Sequence, residues 1–351
     1  MLKILQIIDQ LEVGGAEKVL VDMSNILDEH QHDVTVLCLL TPAVLDTHLN
    51  TTIKRVYLKR KNKYNPFTLY RLYRQLNTYD VVHVHCRQVM RYVGLLLFLP
   101  RFLVKFKVVF HDHYGQIASD KKIDSLLKMQ LDRIQAYIGV SNELVSWYQQ
   151  IFKQKQAYLL SNIVRFTETS VTKSKNPDTC KLVMVGNFRP QKNYEFAINL
   201  LAQLPSNYTL TIIGGVVDES YYQKVSNQAQ QLQLVNRLTI KTAVTNPRSE
   251  LVNYDMAIHT ATSETGPLVA IEYLSINLPF VMFNTGRVAE QIQPELSDFI
   301  LSNTDVDLWK ERIAYILAHK DSYRTKISSI FRENFSEDIY VQKCQAIYQN
   351  L

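Results

Sequence analysis

Two carboxylates eight residues apart, Glu264 and Glu272, sit in the segment SETGPLVAIE, just after an apolar run at 256–259. Glu264 falls in the loop before a helical stretch. Glu272 falls inside it, among Leu268, Val269, Ile271 and Leu274. An ionised carboxylate only accepts hydrogen bonds, so the pair suits a ligand rich in hydroxyls, such as a sugar and a ribose. A carboxylate on so apolar a helix is costly unless a partner meets it. One acid favoured at a helix start and one at a solvent edge would explain the same pair. Pro267 suits the first helical position, which leaves the amides after it free to face an anion.

The segment GNFRPQKN, 186–193, is basic and lies between a strand-like and a helical stretch. Its Arg189 and Lys192 suit phosphate, each charge-assisted contact worth about 1.5–3 kcal/mol. A solvated loop competes with that reading. Glycine is scarce, 10 residues in 351, so each position says more. Gly14, Gly15, Gly186, Gly214, Gly215 and Gly266 all fall where a strand hands over to a helix. Glycine there lets backbone close on a ligand, or marks a plain tight turn. No GxGxxG and no P-loop pattern occurs, which excludes those two nucleotide fingerprints.

His83 and His85 alternate in a strand-like run, so they share a face and could chelate a metal. A metal-dependent hydrolase is therefore a reading from a different class. His111 and His113 flank Asp112 in a second such run. Asp305 and Asp307 imitate a metal motif, but they stand at a helix start, where capping accounts for them better.

The elements that must position these groups alternate. Strand-like runs fall at 2–8, 34–39, 53–58, 81–84, 107–110, 136–140 and 156–160, with amphipathic stretches such as 17–27 between most of them. A polar, Ser/Thr-rich stretch at 165–180 interrupts the pattern. It then restarts with strands at 181–185, 208–213, 238–241, 256–259 and 280–283 and helices at 194–204 and 305–317. Strand–helix alternation of this length means βαβ units and a parallel sheet. The expected architecture is two doubly wound α/β halves on one linker, facing a cleft, with ligands beyond the carboxyl ends of the strands.

The bulk properties agree. The chain has 351 residues, 46% hydrophobic and 21% charged, the composition of a soluble protein of about two domains. Its longest apolar run, 93–99, is far short of the ~20 residues of a membrane span. The four cysteines, Cys38, Cys86, Cys180 and Cys344, form no CxxC, which fits a reducing cytoplasm. Charge is uneven. Residues 1–165 hold 22 Lys and Arg against 14 Asp and Glu, and residues 166–351 hold 17 against 19. A basic first half points to an anionic partner.

GGAE at 14–17, GNFRPQKN at 186–193 and SETGPLVAIE at 263–272 together resemble the GT-B glycosyltransferases of family 4, retaining enzymes that use nucleotide-sugar donors. Lesser matches are Phe110-His111-Asp112 and Ser161-Asn162, and the resemblance spans the whole chain in order. It implies a Rossmann-like acceptor domain at 1–165, a Rossmann-like donor domain at 166–335 and a terminal helix, 336–351, packed back on the first domain. It implies that Gly14 and Gly15 meet the donor diphosphate, and that Lys192 neutralises it as it leaves. Glu264 would bind donor-sugar hydroxyls, with Thr265, Gly266, Pro267, Leu268 and Val269 cradling sugar and phosphate. Glu272 would accept from the ribose, and His111 would face the reacting carbon. The family's frequent arginine after the glycine is here Asn187, a gap that Arg189 would have to fill.

On that footing the expectation is a cytoplasmic retaining glycosyltransferase with His111, Lys192 and Glu264 as its catalytic residues. Its donor would be UDP- or GDP-linked, with no metal or other cofactor. The acceptor would be a glycan, lipid-linked, in bacterial surface or exopolysaccharide synthesis. A teichoic-acid-like polymer or a protein is the alternative acceptor, and a non-catalytic sugar-nucleotide-binding protein is a further reading. The basic cluster Lys54, Arg55, Lys59, Arg60, Lys61 and Lys63, the aromatics after it and the stretch 91–107 suit peripheral contact with an anionic membrane. No nucleic-acid recognition motif is present.

Overall fold

The computed structural model describes residues 2–63, 65–117, 120–165, 179–244 and 246–351. The expected linker at 165–180 lies almost wholly outside them. The chain divides into two compact units. One is Met1–Arg165 with Glu337–Leu351, and the other is Phe166–Ser336.

The first unit is built on a seven-stranded sheet. Its strands are β1 (Lys3–Ile8), β2 (Asp33–Cys38), β3 (Lys54–Tyr57), β4 (Val81–His85), β5 (Lys107–Asp112), β6 (Ala136–Gly139) and β7 (Ala157–Leu159). Their order is β3-β2-β1-β4-β5-β6-β7, all parallel. The order changes direction between β1 and β4, the topological switch point at which such sheets bind ligands. Every residue of β4 is buried, as expected of a strand covered on both faces. Helices Pro66–Leu76, Arg87–Val93, Ser125–Leu131 and Asn142–Ile151 share one core with Val82, Val84, Val108 and Phe110. Helix Gly15–Glu29 packs against the last helix, Glu337–Gln349.

The second unit has six strands, β8 (Cys180–Val185), β9 (Tyr208–Ile213), β10 (Leu238–Lys241), β11 (Met256–His259), β12 (Phe280–Phe283) and β13 (Ile300–Leu301). They run parallel in the order β10-β9-β8-β11-β12-β13, with the switch point between β8 and β11. The two-residue β13 is too short to show a period in sequence.

The apolar run 93–99 closes helix Arg87–Val93 and enters the 3-10 turn Gly94–Phe98. Val93, Leu96 and Leu97 are buried there and only Phe98 is exposed. It is core, and the membrane reading of that stretch is withdrawn. Asp305 caps helix Val306–Ala318, accepting from the amides of Asp307 (3.0 Å) and Leu308 (3.3 Å). All four cysteines are free thiols. Among the described residues no helix is long and apolar enough to cross a membrane.

Candidate active site

In the second unit the site grows from the loops after β8 and β11, the two strands at the switch point. After β8 the chain passes Gly186 and Asn187, whose Oδ1 accepts from the Gly215 amide at 3.0 Å. The Phe188 amide donates to the Gly215 carbonyl at 2.9 Å. A Cβ on Gly214 would stand 1.7 Å from the Gly186 carbonyl oxygen. Gly214 is therefore glycine because two loops meet backbone to backbone, a requirement of the fold rather than of a ligand. Asn187 ties those loops together and offers no phosphate a charge.

The turn Pro190–Lys192 ends at Asn193, which adopts φ +55° and swings the chain into helix Tyr194–Gln203. The exit of β11 straps this turn down. Thr260 Oγ1 lies 2.9 Å from the Lys192 carbonyl and 3.0 Å from that of Asn193, and the Thr262 amide donates to the Gln191 carbonyl at 3.0 Å. So held, Lys192 Nζ donates a short hydrogen bond to Glu264 Oε1. The two side chains are 16% and 19% exposed. Burial works to raise the Glu264 carboxyl. The Lys192 charge, then the neighbouring His259 and the Lys192 hydrogen bond, outweigh it, with a smaller part from Arg189, and hold the group below its ordinary value. Arg189 itself is exposed, close enough to act on Glu264 through space.

Glu264 is seated by a loop that the sequence reading did not single out. Its amide donates to Thr285 Oγ1 at 3.1 Å, and the Arg287 amide donates to the Thr265 carbonyl at 2.8 Å. Between them Gly286 has φ +74°, and a Cβ there would lie 2.8 Å from the Glu264 carbonyl oxygen. Its signal was available: a glycine between β12 and helix Gly286–Ile292, the placement that marked the other six. His259, the last residue of β11, is fully buried with both ring nitrogens unpartnered. Desolvation and then the Lys192 charge lower it to about 4.

Helix Leu268–Ser275 begins one residue later than expected. Pro267 has ψ 105°, outside the helical range, and precedes the first helical residue. Leu268 and Val269 therefore supply the unpaired amides of the first turn. Glu272 is 4% exposed, so the solvent-edge explanation for it fails.

In the first unit the strand register gathers histidines. β4 places His83 beside Gln6 of β1, and His85 beside His111 of β5. His83 Nδ1 lies 2.7 Å from Tyr348 Oη, and His85 Nε2 lies 2.8 Å from Gln6 Oε1. His85 Nδ1 lies 3.1 Å from His113 Nε2. His111 is fully buried with both ring nitrogens unpartnered. Desolvation lowers all four, His83 and His113 to about 3, so they are neutral at pH 7. Sequence offered two HxH pairs, His83/His85 and His111/His113, with chelation considered at the first, and the expectation was no metal. The fold adds His111, and one ligand atom from each of His83, His85 and His111 lies within 4.8 Å of the others. These are the residues that could hold a cation. His83 and His85 are already partnered by Tyr348, Gln6 and His113, which gives the cluster a second use as a neutral hydrogen-bonded network.

Gly14 precedes helix Gly15–Glu29 in extended conformation. A Cβ on it would meet Glu17 Oε2 at 2.2 Å, so the Glu17 carboxylate lies over this glycine at the helix start. The basic cluster is also smaller than its sequence. Arg55 donates to the Leu49 carbonyl at 2.9 Å. Arg60 bonds Asp9 at 3.0 Å and covers the Tyr92 ring at 4.6 Å.

Two parallel-sheet Rossmann-like units, each with its loops at a switch point, define the GT-B architecture. The model for glycosyl transferases group 1 matches residues 165–334, and that for glycosyltransferase family 4 matches residues 13–164. The chain belongs to the group 1 glycosyl transferases. No curated protein matches it in sequence. Among solved structures it resembles Anabaena Alr3699/HepE in complex with UDP and glucose, at 16% identity over 100% of both chains with TM-score 0.80. It resembles the lipopolysaccharide outer core galactosyltransferase WaaB at 16% identity, over 99% of this chain and 100% of that one, with TM-score 0.70. A variant of S. aureus TarM with fondaparinux, α-GlcNAc-glycerol and UDP matches at 10% identity over 99% and 100%, with TM-score 0.81. At these identities the likeness is one of fold.

Proposed function

We propose that the protein transfers a sugar from a UDP- or GDP-linked donor to a glycan acceptor with retention of configuration. The observation that carries this reading is the Lys192–Glu264 pair at the β8/β11 switch point, beside the first amides of helix Leu268–Ser275. In the structure the two charges satisfy each other. With donor they have separate partners: the diphosphate takes Lys192, and sugar hydroxyls take the Glu264 carboxylate. Glycosyl transfer builds negative charge on the departing diphosphate. A cation and oriented amides there stabilise the transition state more than the ground state. Lys192 does this without a metal.

In the retaining reaction the acceptor hydroxyl attacks the anomeric carbon from the leaving-group side. The carbon–oxygen bond to the diphosphate breaks, the new glycosidic bond forms, and the acceptor proton passes to a diphosphate oxygen. No protein base is required. The Anabaena protein is also solved with UDP-glucose, which favours UDP. The TarM structure holds an α-glycoside beside UDP, the product that retention gives from an α-linked donor. The likeness to a lipopolysaccharide outer core galactosyltransferase favours a lipid-linked acceptor in bacterial surface polysaccharide synthesis, and our reading puts the reaction at the cytoplasmic face of the membrane.

Thermal-shift screening of UDP, GDP, ADP and their sugars tests the reading, with and without EDTA. A ligand at 100 times its Kd stabilises by about 2.7 kcal/mol. A shift for one nucleoside diphosphate, unchanged by EDTA, is the expected result. No shift for any of them refutes the donor reading, and a shift abolished by EDTA and restored by zinc or manganese refutes the metal-free one.

A further inference from the structure

The positive charge of this chain is concentrated in one stretch. Residues 54–107 hold 13 Lys and Arg and a single acid, Asp80, whereas the whole chain is only +6. The remainder is therefore net acidic. Five of the thirteen are tied into the fold: Arg55, Arg60, Arg87 and Arg91 bond carbonyls or carboxylates, and Lys107 bonds the Leu351 carbonyl. The rest are exposed. Lys59, Lys61 and Lys63 lie in the loop before helix Pro66–Leu76, Arg71 and Arg74 lie on it, and Arg101 and Lys105 lie just before β5.

Exposed aromatics lie among these cations. Helix Pro66–Leu76 buries Leu72 and Leu76 and turns Phe67 (67% exposed) and Tyr70 (54%) outward beside Arg71 and Arg74. Tyr73 Oη donates to the Leu103 carbonyl at 3.1 Å, and the Lys105 amide donates to Asn77 Oδ1 at 2.9 Å. Those bonds join the helix to the turn Arg101–Leu103, where Phe102 is 79% exposed and Leu103 37%. Buried aliphatic residues behind and phenyl rings in front, within a field of cations, are the composition of a surface that lies in a bilayer interface.

We propose that this face, helix Pro66–Leu76 with the turn Arg101–Leu103, docks on an anionic lipid bilayer with Phe67 and Phe102 entering the acyl boundary. The proposal rests on the membrane part of the functional reading and adds the face and its anchors. Charge complementarity selects anionic headgroups. Leu103, exposed beside Phe102, has no ring to stack on a base but suits an acyl boundary, which favours lipid over single-stranded nucleic acid.

The test is sedimentation of the full chain with phosphatidylcholine vesicles, with and without 30% phosphatidylserine. Binding is expected to the anionic vesicles and to fall as salt rises. Replacing Arg71, Arg74, Arg101 and Lys105 with Gln is expected to weaken it about fivefold per charge. Phe102→Ser is expected to weaken binding at every salt concentration. Removing Lys320, Lys326 and Arg332, exposed cations of the second unit, is expected to leave it within twofold. Circular dichroism confirms that each variant is folded. Wild type ignoring anionic vesicles at low salt overturns the proposal. So does equal loss from the second-unit variant, or capture of an oligonucleotide in place of vesicles. Nucleotide thermal shift on the same samples separates the readings. Lost vesicle binding with an intact shift retires the docking face alone, and vesicle binding without a shift retires the transferase alone.

Discussion

Lys192→Ala breaks a pair whose two members are both largely buried, so its effect reaches beyond catalysis. Stripping one partner from a fully buried pair costs about 3–5 kcal/mol. With Glu264 19% exposed, roughly 2–3 kcal/mol is the matching figure. For a unit of this size, 1 kcal/mol moves Tm by about 2–4 °C, so a drop of roughly 4–12 °C is expected. Turnover should fall by about 100–1,000-fold, the scale of losing one transition-state charge donor. Lys192→Met with Glu264→Gln removes both charges and should recover most of the Tm but none of the turnover. The sign with pH is fixed by the direction of the Glu264 shift. A carboxylate held below its ordinary value stabilises the fold above that value and loses the contribution as pH falls through the lowered one. The Tm gap between wild type and Lys192→Ala should therefore close in acid. Thermal melts by circular dichroism, with donor turnover on the same samples, measure both effects. A Lys192→Ala protein that melts and turns over like wild type would refute the reasoning, as would a double variant no more stable than the single one.

The two glutamates should separate in titration calorimetry with free nucleoside diphosphate. Glu272→Gln should mainly weaken that affinity, whereas Glu264→Gln should keep it and lose turnover; the reverse pattern would exchange their roles. Acid should unfold the first unit before the second. His83, His85 and His111 are buried and held below 6.5, so the unfolded chain takes protons that the folded one refuses, at up to about 1.4 kcal/mol per histidine per pH unit. Stability is then full above about 6.5 and falls below it, and the second unit has only His259 in that position. Trp147 lies in the first unit and Trp309 in the second, so single-tryptophan variants report each transition by fluorescence; coincident transitions would count against the histidine account.

Most strands were legible because parallel strands covered on both faces are near-continuous apolar runs, and β9, β10, β11 and β12 fall where the pattern places them. Glu264, Lys192 and the glycines were legible as residue types at strand-to-helix joints. What bonds to what was not. That Lys192 meets Glu264, 72 positions away, follows from β8 and β11 being neighbours, and that adjacency is a property of topology. The histidine cluster depends in the same way on the register that sets His85 beside His111. The role of Asn187 was hidden because a side chain bonding a backbone amide leaves no periodic trace. Pro267 was misplaced by one residue because its φ suits a helix while its ψ does not.

The last helix, Glu337–Gln349, belongs to the first unit, where Tyr348 meets His83 and the Leu351 carbonyl takes the Lys107 ammonium. A ribosome delivers that helix only after the intervening 170 or so residues of the second unit. At about 5–20 residues per second, the first unit waits roughly 10–35 s for its closing piece. During that interval the face of helix Gly15–Glu29 that the last helix will cover is open to chaperones and to other nascent chains. The second unit, continuous in sequence, can finish first. The order of folding is then the reverse of the order of synthesis, and a chain cut at residue 165 would carry all seven strands of its sheet yet lack the segment that completes it.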